Sequence, residues 1–220
     1  MKKTKLFIAL CLVGHLVSAQ TTTETERVVK NEVGVNSTAF FRQFLNIANT
    51  SNALENPYLV TYKHHFKAFI LRGGVGFRIN TTSESNPKFS DTKMTSNNDV
   101  SCRIGYEKQF TVYKKLRGYW GADLVGAYLV NNLRIDSGFD IVTTSDNTWS
   151  AGAGGVLGIE YEWGKRFALG TETTYYYRYE VQQQKARFSN NPEFNNSGRK
   201  LVGQKTQFLP PLSIFAVLKF

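Results

Sequence analysis

Apolar and polar residues alternate with a period of two along most of the chain after residue 31, as in β-strands with one apolar face. In the last stretch five apolar side chains share a face: Leu212, Ile214, Ala216, Leu218 and Phe220. Ser213 and Lys219 lie on the opposite face. The same alternation predicts seven earlier strands, at residues 32–41, 58–64, 68–80, 100–110, 118–131, 149–162 and 166–182. The chain is therefore predicted to be all-β.

The connections between these strands alternate between long and short. Long polar segments with Asn-Pro and Asn/Ser turn signals occupy residues 42–57, 81–98, 132–146 and 183–207, and short ones occupy residues 64–67, 111–117 and 163–165. Bacterial outer-membrane barrels combine an even strand number with short periplasmic turns and long extracellular loops. The pattern predicts an eight-stranded antiparallel up-and-down transmembrane β-barrel with short periplasmic turns and long extracellular loops. Pro210 and Pro211 must lie at the start of the last strand or at a bulge.

The first residues have the pattern of a secretory signal peptide. Lys2, Lys3 and Lys5 precede an apolar run over residues 6–17, and Val17-Ser18-Ala19 is a small-residue cleavage site. The apolar run is shorter than the roughly 20 residues that span a bilayer. We expect a signal peptide at 1–19, a periplasmic lead-in at 20–31 and an outer-membrane β-barrel at 32–220. Cys102 would then be the single cysteine of the mature chain, which excludes an intrachain disulfide.

Composition agrees with an exported β-barrel. The mean hydropathy is −0.31, as expected when apolar outward residues and polar inward residues average out. Aromatic residues cluster at the predicted strand ends, as in the aromatic girdles of membrane barrels. At the turn ends they are Phe66, Phe110, Tyr113, Tyr119, Trp120, Tyr161, Trp163, Phe167 and Phe220, and near the opposite end Tyr175, Tyr176, Tyr177 and Tyr179. The alternative is that aromatic residues are simply good strand formers.

Three segments resemble a known family. They are Arg103-Ile104-Gly105-Tyr106-Glu107, Gly118-Tyr119-Trp120-Gly121-Ala122-Asp123 and Gly158-Ile159-Glu160-Tyr161-Glu162. They resemble small porin-like outer-membrane β-barrel proteins common in Bacteroidota, with a PorT-like or OmpX-like barrel fold. The resemblance implies location in the cell outer membrane of a Gram-negative bacterium. It also implies that the last strand, with Leu218 and Phe220, is the assembly signal for the barrel-insertion machinery.

The second face of the predicted strands would point into the barrel, and it carries charges of both signs. The cations are Arg72, Arg78, Arg103, Arg178 and Lys219, and the anions are Glu107, Asp123, Glu160, Glu162 and Glu172. An eight-stranded barrel has room only for its own side chains, and buried charges need partners. The near balance of charge predicts an ion-pair network that fills the lumen. The alternative is a narrow polar path or a site for a small solute.

The remaining positive charge lies outside the predicted lumen. It flanks the short turns at Lys114, Lys115, Arg117, Lys165 and Arg166, and lies in the last loop at Lys185, Arg187, Arg199, Lys200 and Lys205. Basic loops can pair with lipopolysaccharide phosphates or be ordinary solvated loops. Nucleic acid is not an expected partner of an exported chain without a recognition motif. The expected partners are outer-membrane lipid, lipopolysaccharide and the barrel-insertion machinery, and the expected state is a monomer.

Catalytic chemistry has little support in the sequence. His64 and His65 are the only histidines after the predicted signal peptide, and no Ser and acid partner is evident by spacing. No Cys/His cluster has metal-ligand spacing. We expect no enzyme activity, cofactor or metal. The sequence favours a structural or interaction role through the extracellular loops. The alternatives are a narrow porin-like channel for small solutes and a barrel component of a secretion system.

Overall fold

The computed structural model describes residues 30–39, 56–86, 91–137 and 140–220, and almost all of its regular structure is antiparallel β-sheet. Among the described residues, a short 3₁₀ helix, Pro192–Phe194, lies between two strands, and residues 37–39, predicted as part of the first strand, are helical. The strands are β1 (Asn31–Asn36), β2 (Val60–His65), β3 (Ile70–Asn86), β4 (Asp91–Tyr113), β5 (Leu116–Asp136), β6 (Ile141–Glu162), β7 (Phe167–Phe188), β8 (Asn196–Leu209) and β9 (Ile214–Lys219). Within these ranges, no helix has the length and apolarity to cross a membrane.

The strands pair in a closed ring. From β1 to β7 each strand pairs with the next, and β9 pairs with both β7 and β1. β8 and β9 share one edge of β7, because β9 pairs with Phe167–Thr171 and β8 pairs from Thr174 onward. The closing strand predicted from the sequence corresponds to β9, while β8 lies mainly in a segment predicted as a loop, so the described residues form nine strands where eight were predicted. Pro210 and Pro211 lie between β8 and β9, before the start of the last strand, since a proline has no N–H to donate to the ladder.

Short connections join the strands at one end of the ring, which we call the turn end, and the opposite end is the distal end. At the turn end, the connections β2–β3, β4–β5 and β6–β7 are short, as predicted, and Gly164 turns the last of them at φ +131°. A φ in that region favours glycine. At the distal end lie the connections that follow Asn86, Asp136 and Phe188.

Three segments predicted as long loops are strands at the distal end. β3 and β4 pair as far as Asn86 and Asp91, and β5 and β6 pair as far as Asp136 and Ile141. β7 extends to Phe188 and β8 begins at Asn196, so the two strands together occupy most of the predicted loop at 183–207. Residues 81–86 are polar on both faces and the other two segments are mainly polar, and cross-strand backbone hydrogen bonds need no apolar face. The predicted loop at 42–57 lies outside the described residues except for its last two positions.

The polarity of the ring is opposite to that of a soluble barrel. Large apolar side chains point outward, with Leu124 63 %, Leu157 60 % and Val75 56 % exposed. Charged side chains point inward, with Arg72, Glu107 and Asp123 each at most 2 % exposed. The predicted alternation of strand faces is confirmed for β9, where Ile214 and Leu218 point outward and Phe215, Val217 and Lys219 are buried.

Candidate functional site

The lumen near the turn end holds a network of buried charges that four strands bring into line. Lys219 of β9 lies opposite Glu32 of β1, Glu32 lies opposite Lys63 of β2, and Lys63 lies opposite Arg72 of β3. Directly opposite residues of an antiparallel pair share a face, so these four side chains point into the ring together. We call the whole set the lumen network: Glu32, Lys63, Arg72, Arg103, Glu107, Asp123, Glu160, Glu162, Glu172 and Lys219.

Arg72 is the centre of the lumen network. Its Nη1 lies 3.1 Å from Glu107 Oε2, its Nη2 lies 2.7 Å from Glu172 Oε2, and its Nε lies 3.2 Å from Asp123 Oδ1. Arg103 adds a second guanidinium, which pairs with Glu172 and lies 3.7 Å from Asp123 Oδ2. One guanidinium thus holds three carboxylates from three strands, a role that its planar set of donors suits.

Two lysines extend the network to the turn end. Lys63 Nζ lies 2.7 Å from Glu107 Oε1 and 3.9 Å from Glu160 Oε2. Lys219 Nζ pairs with Glu160 and lies 3.0 Å from Glu162 Oε1 and 3.6 Å from Glu32 Oε1. Every carboxylate of the network therefore faces at least one cation, which is the condition under which buried charges are tolerated.

Histidine and arginine close the network at its rim. His65 Nε2 lies 2.9 Å from Glu32 Oε1, and Arg117 Nη2 lies 3.2 Å from Glu162 Oε1. His64, at the end of β2, contacts Asn31 Oδ1 through its Nδ1 at 2.8 Å. The two histidines were predicted to lie in a solvated turn, but they end a strand because β2 extends one residue further than expected.

Two tyrosines predicted at the membrane interface lie inside the lumen instead. Tyr119 is 4 % exposed and Tyr176 is fully buried. The Tyr119 hydroxyl donates to Glu172 at 3.3 Å, and Lys63 Nζ lies 4.1 Å from its ring centroid. The Tyr176 hydroxyl donates to Asp123 at 2.9 Å. Their rings fill space between the charges, and Gly158 is required beside Tyr119 because a Cβ there would overlap the ring.

The segment Asn56–Tyr58 enters the lumen on the distal side of the network. Asn56 Nδ2 donates to Glu172 Oε1 at 2.6 Å, and its Oδ1 accepts from the Tyr58 backbone N–H at 3.1 Å. Tyr58 is fully buried, packs with Val125, Tyr176 and Leu209, and lies under the Arg103 guanidinium at 4.3 Å. The second strand was predicted to begin at Tyr58, which was wrong because β2 begins only at Val60.

The structure brings together most of the site residues predicted from the sequence. Arg72, Arg103, Glu107, Asp123, Glu160 and Glu172 belong to the lumen network. Arg78 and Arg178 do not; they lie nearer the distal end, where they line a cavity. Leu218 and Phe220, the predicted assembly signal, point outward and are 52 % and 58 % exposed.

Glu32 and Lys63 belong to the lumen network but were not among the lumen charges predicted from the sequence. Glu32 shares a period-two face with Gly34 and Asn36, and Lys63 shares one with Thr61, so the signal was present. Across the described ranges, no three His, Cys, Asp or Glu side chains meet in an arrangement that could hold a metal ion.

A cavity of about 610 Å³ occupies the distal part of the lumen; we call it the outer cavity. Its wall includes Pro57 and inward-facing residues of β3 to β8. Three cations, Arg78, Arg178 and Lys205, line it with two carboxylates, Asp99 and Glu180. The outer cavity and the lumen network are separated by the Asn56–Tyr58 segment.

An aspartate joins two connections at the distal end. The Asp140 carboxylate accepts hydrogen bonds from the backbone N–H groups of Ser189 and Asn190, both at 3.0 Å, and from the Ser189 hydroxyl at 2.7 Å. The hydrogen bonds from Asn190 and Ser189 hold the pKa of Asp140 below its usual range. Asp140 thereby ties the start of β6 to the end of β7 at the distal end of the ring.

The chain matches the model of a known protein family over most of its length. Residues 18–192 match the model of the "Putative OmpA-OmpF-like porin family". Comparison with the curated proteins finds no match. Among solved structures, the ferric yersiniabactin uptake receptor FyuA from Yersinia pestis superposes with a TM-score of 0.42 at 10% identity. That superposition covers 68% of this chain and 23% of the receptor, so the chain spans less than a quarter of that receptor's length.

Proposed function

Because the chain belongs to the Putative OmpA-OmpF-like porin family, we propose that it is an integral outer-membrane β-barrel. The part of its lumen near the turn end is filled by its own side chains, and its distal strands present an interaction surface outside the cell. One observation carries this proposal: large apolar side chains cover the outside of the ring and ion pairs fill its inside. Only a solvent less polar than water makes that arrangement favourable.

Exposed apolar side chains surround the outside of the ring; we call this surface the apolar belt, and its height suits a bilayer. On the outward face of β5, Trp120, Leu124 and Tyr128 are exposed, and Asn132 and Arg134 follow on the same face. Residues 120–128 form a stretch of nine positions, and a tilted transmembrane strand needs about 9–11. The aromatic residues at its two ends suit the two interfaces of a membrane. We therefore assign the strands beyond Tyr128 to the aqueous phase.

The filled lumen favours an interaction role over conduction. Arg72, Glu107 and Asp123 occupy the cross-section of the ring with at most 2 % exposure, and the Asn56–Tyr58 segment contacts the network through Glu172 and Arg103. Moving an ion past them would require breaking several ion pairs at once. A narrow porin-like channel and a secretion-system component are the other functions considered from the sequence. The polar outer cavity is the observation that favours the channel.

The distal strands offer a polar and basic surface. Exposed cations lie on four of them, at Lys93, Arg134, Lys185, Arg187, Arg199 and Lys200. Lipopolysaccharide phosphates are suitable partners because cations bind them through charge-assisted hydrogen bonds. In this proposal the protein is a monomer that inserts through the barrel-insertion machinery and contacts outer-membrane lipid through its apolar belt.

An epitope insertion tests location and orientation together. An epitope after Glu193, in the 3₁₀ helix between β7 and β8, should be labelled by antibody on intact cells of a Gram-negative host. The matched control carries the same epitope after Gly164, at the opposite end of β7, and should be labelled only after permeabilisation. Equal labelling of both epitopes on intact cells, or of neither before permeabilisation, would contradict the proposed orientation and location.

A further inference from the structure

The outer cavity has the size and the polarity of a ligand site. Its volume of about 610 Å³ lies within the range of roughly 300–1,000 Å³ that is usual for small-molecule sites. Amide and hydroxyl groups contribute to its wall at Asn131, Gln182, Thr148 and Ser150. The cavity therefore offers hydrogen-bonding groups for a polar solute as well as charges.

Two of its cations face each other without an anion between them. Arg178 of β7 lies directly opposite Lys205 of β8 in the strand register, and both line the cavity. Like charges directly opposite each other destabilise a sheet. Among the described residues, no carboxylate oxygen lies within 4.0 Å of a side-chain nitrogen of either cation. This arrangement contrasts with the lumen network, where every cation has a carboxylate partner.

Arg178 also carries an unsatisfied donor. Its side chain is buried, with a residue exposure of 9 %, and its Nε has no hydrogen-bond partner among the residues described. Gly152 lies across from it in β6, where a Cβ would press on the Arg178 backbone and side chain. A buried donor without a partner is costly, so a ligand that accepts from it gains affinity.

We propose that the outer cavity binds a small polar solute that carries one oxyanion group, held between Arg178 and Lys205. A guanidinium fits both carboxylate and phosphate oxygens. Asp99 and Glu180 in the same wall disfavour solutes with several negative charges. Neutral polar groups of the solute meet the amides and hydroxyls of the wall. This site goes beyond the proposed function, since it requires neither conduction nor a partner protein.

Calorimetric titration of the full chain refolded in detergent tests the proposal with three probes: glucuronate, glucose 6-phosphate and glucose. At least one of the two anions should bind saturably, and glucose should bind at least about tenfold more weakly. The anion that binds more tightly identifies the source of the oxyanion as carboxylate or phosphate. Absence of saturable binding by both anions, or equal binding of glucose, would overturn the proposal.

Three variants locate the binding. Arg178→Gln and Lys205→Gln should each weaken anion binding about tenfold, because each removes a charge-assisted hydrogen bond. Arg187→Gln is the matched control, since it removes the same charge from an exposed position of β7 outside the cavity wall. It should change binding by less than about twofold. Heat-modifiable migration checks that each variant folds. If Arg178→Gln does not fold, Lys205→Gln is the deciding variant, because Lys205 is exposed and its replacement should leave the fold intact. Equal effects of all three variants, or no effect of Lys205→Gln, would overturn the assignment.

Discussion

Replacement of Arg72 by methionine should lower the free energy of unfolding by about 3–5 kcal/mol. The guanidinium contacts Glu107, Asp123 and Glu172, all buried on the lumen side. Methionine fills similar space but leaves these carboxylates without their shared cation, and an uncompensated buried charge is strongly destabilising. Urea unfolding of the refolded chain in detergent, followed by tryptophan fluorescence, measures the change.

Arg117→Met is the matched control for this prediction. Its side chain is 29 % exposed at the rim of the lumen and pairs with Glu162. Ion pairs in contact with water contribute at most about 1 kcal/mol, so the control should unfold close to the unsubstituted chain. Adding Glu172→Gln to Arg72→Met should restore part of the lost stability, because it removes one of the unpaired charges. An Arg72→Met variant as stable as Arg117→Met would show that the lumen network does not stabilise the ring.

Substitution of Leu124 by arginine should make the free energy of membrane insertion less favourable by about 2–4 kcal/mol, which is the cost of an arginine on the lipid face of a barrel near the bilayer midplane. Leu124 is 63 % exposed on the outward face of β5, midway between Trp120 and Tyr128. Its strand neighbours, Ile104 of β4 and Ala153 of β6, give the new cation no partner. The yield of heat-modifiable protein after folding into lipid vesicles measures the effect.

Asn132→Arg controls for charge on the same strand. Asn132 shares the outward face of β5 with Leu124 but lies beyond Tyr128, next to the native Arg134. We expect a folding yield within experimental error of the unsubstituted chain, because an arginine there remains in water. Equal impairment by both substitutions, or by neither, would contradict the limits of the apolar belt.

The parts of the fold that could be predicted from sequence are those with one apolar face. Val75 and Phe77 alternate with Gly74 and Gly76, and the corresponding part of β3 has the predicted orientation. The distal parts could not be recognised. Residues 81–86 of β3 are polar on both faces, so their sequence shows no alternation of apolar and polar residues that would predict a strand. Their backbone groups nevertheless pair fully with β4. Polar hairpins and polar loops have the same composition.

The candidate site was predictable in its chemistry but not in its extent. The charge balance around Arg72 and Glu172 follows from strand faces alone. Which charges meet depends on the stagger between strands, and that stagger places Arg178 near the outer cavity and not in the lumen network. The position of Tyr58 depends on Asn56, whose side chain bonds both the Tyr58 backbone N–H and Glu172 inside the lumen, and no local pattern in the sequence indicates these contacts.

The most direct test of a closed outer-membrane barrel is single-channel recording of the refolded chain in planar bilayers, with the same sample run on a gel with and without boiling. We expect heat-modifiable migration without steps of conductance, because the lumen network and the Asn56–Tyr58 segment fill the ring near the turn end. Steady conductance from heat-modifiable protein would contradict the filled lumen. Protein that stays soluble without detergent and shows no heat-modifiable migration would contradict the membrane barrel itself.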